Sequence, residues 1–144
     1  MKTLKEKFKT LIGNLKNPAK SPPLDELIDY PHGSLGFHLG RFLFDNSYEI
    51  NPVPQQEDIY RLLITKETSN KEEIGMYYYL FGNGDIRLQT LFIMASGALL
   101  YPHCIVQFYK KYKDGKQALR FYDLDHFRML HLPLQKIKDA FLIR

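Results

Sequence analysis

The residues best placed for chemistry are Glu57, Asp58, Arg61 and Glu73. Glu57 and Asp58 fall in the first turn of an expected helix, where carboxylates meet the positive end of the helix dipole. Arg61 follows Glu57 by four positions and Asp58 by three, so helical spacing gathers all three on one surface. Glu73 opens the next helix, and a short connection makes the two helices antiparallel neighbours. Periodicity alone does not say whether Glu73 reaches Arg61. The plain outcome is a solvated ion pair worth about 0.3–0.5 kcal/mol. The chemical outcome is a polar site with Asp58 and Glu73 as candidate acid and base.

Other chemistry is poorly supported. Asp123, Asp125, His126 and His131 follow no strong metal-ligand spacing. His32, His38 and His103 read as packing or surface residues. No phosphate-binding glycine loop is present. Gly33-Ser34-Leu35-Gly36 has the wrong spacing for a nucleophile elbow and opens a helix with no strand before it. The single cysteine, Cys104, allows neither an internal disulfide nor a cysteine-based metal site. No cofactor and no metal is expected.

The elements that must position these residues are helical. Leu4, Phe8, Leu11 and Leu15 are spaced as an apolar stripe among Lys2, Lys5, Lys7, Lys9 and Lys16, so residues 1–16 read as a basic amphipathic helix. Prolines 18, 22 and 23 end it. Residues 24–144 then form one helical domain. A short helix is expected over 24–29. Ser34 caps a helix reaching about Asn46, with Leu35, Leu39, Phe42 and Leu43 on one side. Residues 46–54 form a loop. Residues 55–66 form a helix that groups Ile59, Leu62 and Leu63. Ser69 and Glu72 match a capping box before a helix that buries Ile74, Tyr77, Tyr78 and Phe81 and ends at Gly82-Asn83-Gly84. Lys113-Asp114-Gly115 reads as a turn, and Leu134, Ile137 and Phe141 mark a last helix. Residues 106–109 and 120–122 are the only tempting strands. The expected fold is an all-α, single-domain helical bundle.

Between Arg87 and Lys110 no Asp, Glu, Lys or Arg occurs. The run from Leu88 to Tyr109 is long enough to cross a bilayer. Gln89, Thr90, Ser96, Gly97, Pro102, His103 and Gln107 interrupt it, so it reads as a long central apolar helix, buried on most sides and bent near Pro102.

The 144 residues fit one domain. The net charge of +4 permits contact with anionic lipid. Basic residues are dispersed beyond residue 16 and no nucleic-acid-binding signature appears, so no nucleic-acid partner is expected. The basic start lacks the apolar run of a secretory signal. The expected location is cytoplasmic, peripheral on a membrane reached through residues 1–16; homo-oligomer formation is open.

Pro31-x-Gly33-Ser34-Leu35-Gly36, followed by Arg41-Phe42-Leu43 and Asn46, resembles the opening helix of the coenzyme Q (ubiquinone) biosynthesis protein 4 family. That family carries His-Asp-x-x-His, eleven residues, then Glu; the stretch here is Glu57-Asp58-Ile59-Tyr60-Arg61, eleven residues, then Glu73. Glu73-Ile74 leading to Asn83-Gly84 and the long apolar run continue the similarity, which spans about Leu24 to Leu119. The resemblance implies an all-α fold that takes a prenyl tail beside apolar helices, at a membrane surface, in ubiquinone biosynthesis. It also implies a divalent cation near the lipid head group, with head-group decarboxylation and hydroxylation or a scaffold role. Both family histidines are replaced here, by Glu57 and Arg61. Arginine is permanently cationic and has no lone pair for a metal.

Three functions follow as expectations. The first is binding of an isoprenoid or quinone-like lipid without metal chemistry, with Arg61 standing for the cation among Glu57, Asp58 and Glu73. Tyr78, Leu88, Leu91, Phe92, Ala95 and Leu99 would then wall the prenyl chain, each CH2 contributing about 0.8 kcal/mol. The second is an enzyme of quinone head-group modification using Asp58 and Glu73. The third is a membrane-surface scaffold for a biosynthetic complex.

Overall fold

Helical apolar spacing yields seven α-helices among residues 22–46 and 53–143, the part of the chain that the computed structural model describes. The basic helix expected over residues 1–16 lies outside the described residues, as does most of the loop before Pro54. Helix α1 (Leu24–Ile28) packs on α2 (Leu35–Asn46). Gly40 allows this approach, since a Cβ there would lie 2.8 Å from Leu27 Cβ. Ser34 caps α2 as its position predicts, its Oγ accepting from Phe37 N–H at 3.2 Å.

Helix α3 (Gln56–Ile64) buries Ile59, Tyr60, Leu63 and Ile64. Helix α4 (Asn70–Asn83) starts at Ser69, whose Oγ accepts from Glu72 N–H at 3.2 Å. The other half of the expected capping box is absent, because the Glu72 carboxylate accepts from Lys66 N–H at 3.3 Å. The helix stops at Gly84, whose φ of +119° suits glycine. Helices α5 (Leu88–Leu100), α6 (Ile105–Gln117) and α7 (Leu134–Ala140) follow. Short 3-10 turns lie at Pro102–Cys104 and His126–Met129.

The described residues form a single all-α domain without strands, and its centre is α4. Gly75, Met76, Tyr77, Tyr79, Leu80 and Asn83 are all buried, a face that covers somewhat more than half of that helix's circumference. It packs against α3, α5 and α6. Residues after α6 close the bundle over α2. Gly36 N–H donates to Leu130 O and Leu35 N–H to Leu132 O, both at 2.8 Å, beside an isolated antiparallel bridge between Ser34 and Pro133.

The run Leu88 to Tyr109 bends where expected, next to Pro102, but does not form one long central apolar helix. Tyr101 leaves the helical region at φ −130°, ψ 61°, and α5 and the segment Pro102–Gln117 are bent by 107°. The proline after Tyr101 disfavours the helical conformation there and removes a backbone donor. The expected burial also fails. Within α5 only Thr90 and Gly97 are buried, while Leu88, Phe92, Leu99 and Leu100 are 84, 73, 83 and 72% exposed. Among the described residues no single helix is long and apolar enough to cross a membrane.

Two smaller expectations also change. Lys113-Asp114-Gly115 is helical within α6, because Gly115 serves a close helix contact and not a turn. The tempting strand 106–109 is helical and 120–122 pairs with no strand.

Candidate functional site

Helices α3 and α4 each deliver part of a polar cluster. Asp58 sits in the first turn of α3, where its Oδ2 accepts from Gln55 N–H at 2.9 Å. Its Oδ1 accepts from Arg61 Nη1 at 2.7 Å. The other arm of the guanidinium crosses to α4, Nη2 donating to Glu73 Oε1 at 2.6 Å. Thus the short connection does bring Glu73 to Arg61, which spacing alone left open. Burial opposes the Arg61 charge, yet the Glu73 hydrogen bond and the Glu73 and Asp58 charges outweigh it and hold its pKa above the ordinary value. Glu57 does not join these bridges; its charge acts on Tyr60, Tyr77 and Arg87.

The donor set does not fit the divalent cation that the resemblance implies. The guanidinium lies between the two carboxylates and would repel a metal placed there. Among the described residues no three His, Cys, Asp or Glu side chains are grouped to hold one. Nor do Asp123, Asp125, His126 and His131 form such a group. His126 is buried with Nε2 2.7 Å from Phe121 O, and Asp125 caps the 3-10 turn by accepting from Phe127 N–H.

The cluster lines a cleft of about 450 Å³ between α2, α3 and the start of α4, with Phe42, Val53 and Thr65 among its other walls. This lies within the roughly 300–1,000 Å³ of small-molecule sites. A second depression of about 240 Å³ lies between α4 and α5, lined by Ile74, Tyr77, Ile93, Leu100 and Tyr101. Asn70 and Glu73 border both. A polar cleft and an apolar groove therefore meet at the first turn of α4.

The residues expected to wall a prenyl chain lie elsewhere. Leu88, Leu91, Phe92, Ala95 and Leu99 form an exposed stripe on the outer side of α5. Tyr78 joins the helices internally, stacking on Phe108 at 4.9 Å and donating from its hydroxyl to Met94 O at 2.9 Å. The groove instead uses Ile93 and Leu100, one on each side of Gly97. A Cβ at Gly97 would meet Ile74 Cγ2 at 2.3 Å, so this glycine brings α5 against α4. The signal was present as the lone glycine in an apolar helix, which marks the contact face.

Sequence reasoning also missed an ion pair at the start of α5, between a buried carboxylate and a half-exposed guanidinium. Asp85 is fully buried, accepting from Arg87 Nε and Nη2, both at 2.9 Å, and from Thr90 Oγ1 at 2.7 Å. Burial would raise the Asp85 pKa, but the Arg87 and Thr90 hydrogen bonds overcome it and hold it below 3.8. For His126, burial is the main cause and lowers the pKa below 6.5 despite the Phe121 hydrogen bond. The two groups predict a two-step acid response. The His126 contribution is complete above 6.5 and is lost as pH falls from there towards the folded pKa. The Asp85 contribution is complete above 3.8 and is lost as pH falls through its lower folded value. Melting temperature followed from neutral to acid pH should show both declines, and His126→Gln should remove the first. A melting temperature independent of pH across both windows contradicts this assignment.

No protein-family profile and no curated protein matches the sequence. The three-dimensional fold does have a match. A crystal structure of a protein assigned to ubiquinone biosynthesis in Nostoc punctiforme superposes with a TM-score of 0.68. The two are 19% identical, and the match covers 88% of this chain and 70% of that one. At that identity the likeness establishes a shared architecture: this chain has the same all-α fold as the Nostoc protein.

Proposed function

We propose that this protein binds an isoprenoid or quinone-type lipid in connection with ubiquinone biosynthesis, with its polar head at Asp58, Arg61 and Glu73. The observation that carries the reading is the meeting of the polar cleft and the apolar groove at Asn70 and Glu73. An amphiphile needs these two environments side by side. The chain of the lipid would follow Ile74, Tyr77, Ile93 and Leu100. Arg61 takes the place of the cation: two of its N–H groups hold the carboxylates, and the others can donate to a head-group oxygen. The fold shared with the Nostoc protein supports the class of lipid.

An organic extract of the purified protein, read by mass spectrometry, should contain a polyprenyl lipid, or the protein should bind one added in detergent. Arg61→Met should weaken that binding by about tenfold, the loss of a charge-assisted hydrogen bond. A metal count on the same sample should find no stoichiometric divalent ion. A clean extract with no binding of added lipid rejects the proposal, and an ion held by Asp58 and Glu73 rejects the role given to Arg61.

A further inference from the structure

The groove does not account for the exposed apolar side chains of α5 and the start of α6. Leu88, Phe92 and Leu99 project from the outer face of α5, and Val106 from the first turn of α6, each more than 70% exposed. Ile105 and Tyr109 continue the surface beyond the bend. Helical spacing puts Leu88, Phe92, Ala95 and Leu99 in one row, so these exposures belong to a continuous stripe.

Within the segment that carries this surface the charges are of one sign, with Arg87 held in its ion pair with Asp85. Residues 86–113 contain Arg87, Lys110, Lys111 and Lys113 and no Asp or Glu. The cations stand at the ends of the run and leave its middle uncharged. At the bend, Lys71 from α4 lies over the Tyr101 ring at 5.8 Å. Farther along α6, Lys113 lies over Tyr109 at 5.2 Å and Lys116 over Tyr112 at 5.4 Å. Apolar side chains beside tyrosines and lysines match the depth profile of a bilayer interface, with hydrocarbon, then amphipathic rings, then phosphate.

We propose that this bent pair, α5 and the first turns of α6, is a docking surface for an anionic lipid bilayer. It lies in the surface and does not cross it. Each arm has 13 residues, a rise of about 20 Å, against a hydrocarbon thickness of about 30 Å. Leu88, Phe92, Leu99 and Val106 enter the acyl boundary, while Lys110 and Lys113 meet the phosphates. Leu100 belongs both to the exposed surface and to the apolar groove, so docking would open the groove onto lipid. The docking claim stands without any ligand in the cleft.

Flotation of the full chain tests it, using vesicles of phosphatidylcholine alone and of phosphatidylcholine with phosphatidylserine. The protein should float with the mixed vesicles and far less with the neutral ones. Leu88→Ser/Phe92→Ser/Leu99→Ser should reduce partitioning about a hundredfold or more while leaving the circular dichroism spectrum unchanged, since these side chains are exposed. Lys110→Glu/Lys113→Glu should abolish the preference for the anionic vesicles. Flotation undiminished by the triple substitution overturns the proposal and moves membrane contact to another part of the chain. No flotation, with a dimer that the triple substitution dissociates, also overturns it and assigns the surface to a second copy.

Discussion

Gly115→Ala is expected to destabilise the protein by about 3 kcal/mol or more, at the upper end of overpacking effects. A Cβ on Gly115 would lie 2.0 Å from the carbonyl oxygen of Tyr79, and one on Gly82 would lie 2.1 Å from that of Tyr112. Each glycine thus faces the other helix's main chain, and a carbonyl within a helix cannot rotate aside as a side chain can. To admit the methyl group, α4 and α6 must separate along the most extensive helix contact among the described residues. Chemical unfolding of the full chain measures the cost. Gly75→Ala provides the comparison: its Cβ would meet only the flexible Lys111 side chain, at 3.4 Å. There the better helix propensity of alanine, worth up to about 1 kcal/mol, should offset the contact. Equal losses at the two positions would refute the backbone-contact account. The functional consequence is direct, because α4 carries Glu73, which borders both the cleft and the groove, and Ile74 and Tyr77 of the groove.

The same glycine shows where sequence reading stops. Lys-Asp-Gly between polar residues has the composition of a turn, and local propensity supports that choice. What makes it helical is a neighbour more than thirty residues away, Tyr79, whose carbonyl leaves no room for a side chain. Features set by local chemistry were legible. Ser34 and Ser69 cap their helices, Gly84 ends α4 with positive φ, and the all-α class follows from 3.6-residue spacing. The polar site was legible in part, since Asp58 and Arg61 share one helix and their three-residue separation is a local distance. Reaching Glu73 required the relative placement of two helices.

The uncharged run misled for a related reason. Lack of charge suggests burial, but hydrophobicity records only a cost of exposure to water, and does not say what removes it. Burial of α4 comes from helices on several sides, and its sequence contains Asn, Lys and Glu in the first turn. Helix α5 is more apolar yet touches the bundle through one face, centred on Thr90, Ile93 and Gly97. Thr90 and Gly97, its two buried residues, mark the inner side together with Ile93, and Leu88, Phe92 and Leu99 mark the outer side. This inversion of the usual amphipathic pattern moves the expected lipid-wall residues to the surface.

Asn83→Ala should cost about 3–5 kcal/mol, since it removes four hydrogen bonds in one step. The Asn83 amide nitrogen donates to Gly115 O at 3.2 Å and to Leu119 O at 3.0 Å. Its oxygen accepts from Phe121 N–H at 2.8 Å and Tyr122 N–H at 3.2 Å. Asn83 and Phe121 are buried, so alanine leaves main-chain groups without either protein or water as partner. Asn83→Asp would keep the acceptor but lose both donors and bury a charge beside two carbonyls, so it should not rescue stability. Asn46→Ala is the control: that amide makes one exposed bond, to Phe42 O at 2.9 Å, and should change stability by less than about 0.5 kcal/mol. The loss should extend to the polar site. Residues 121–124 hold α3 through Tyr60 Oη donating to Tyr122 O and Gln56 Nε2 donating to Leu124 O, so Asn83 fixes α3 relative to α4 through this segment. Hydrogen exchange in Asn83→Ala should therefore rise in residues 118–124 and in α3. Faster exchange confined to the end of α4 would show instead that Asn83 only caps its own helix.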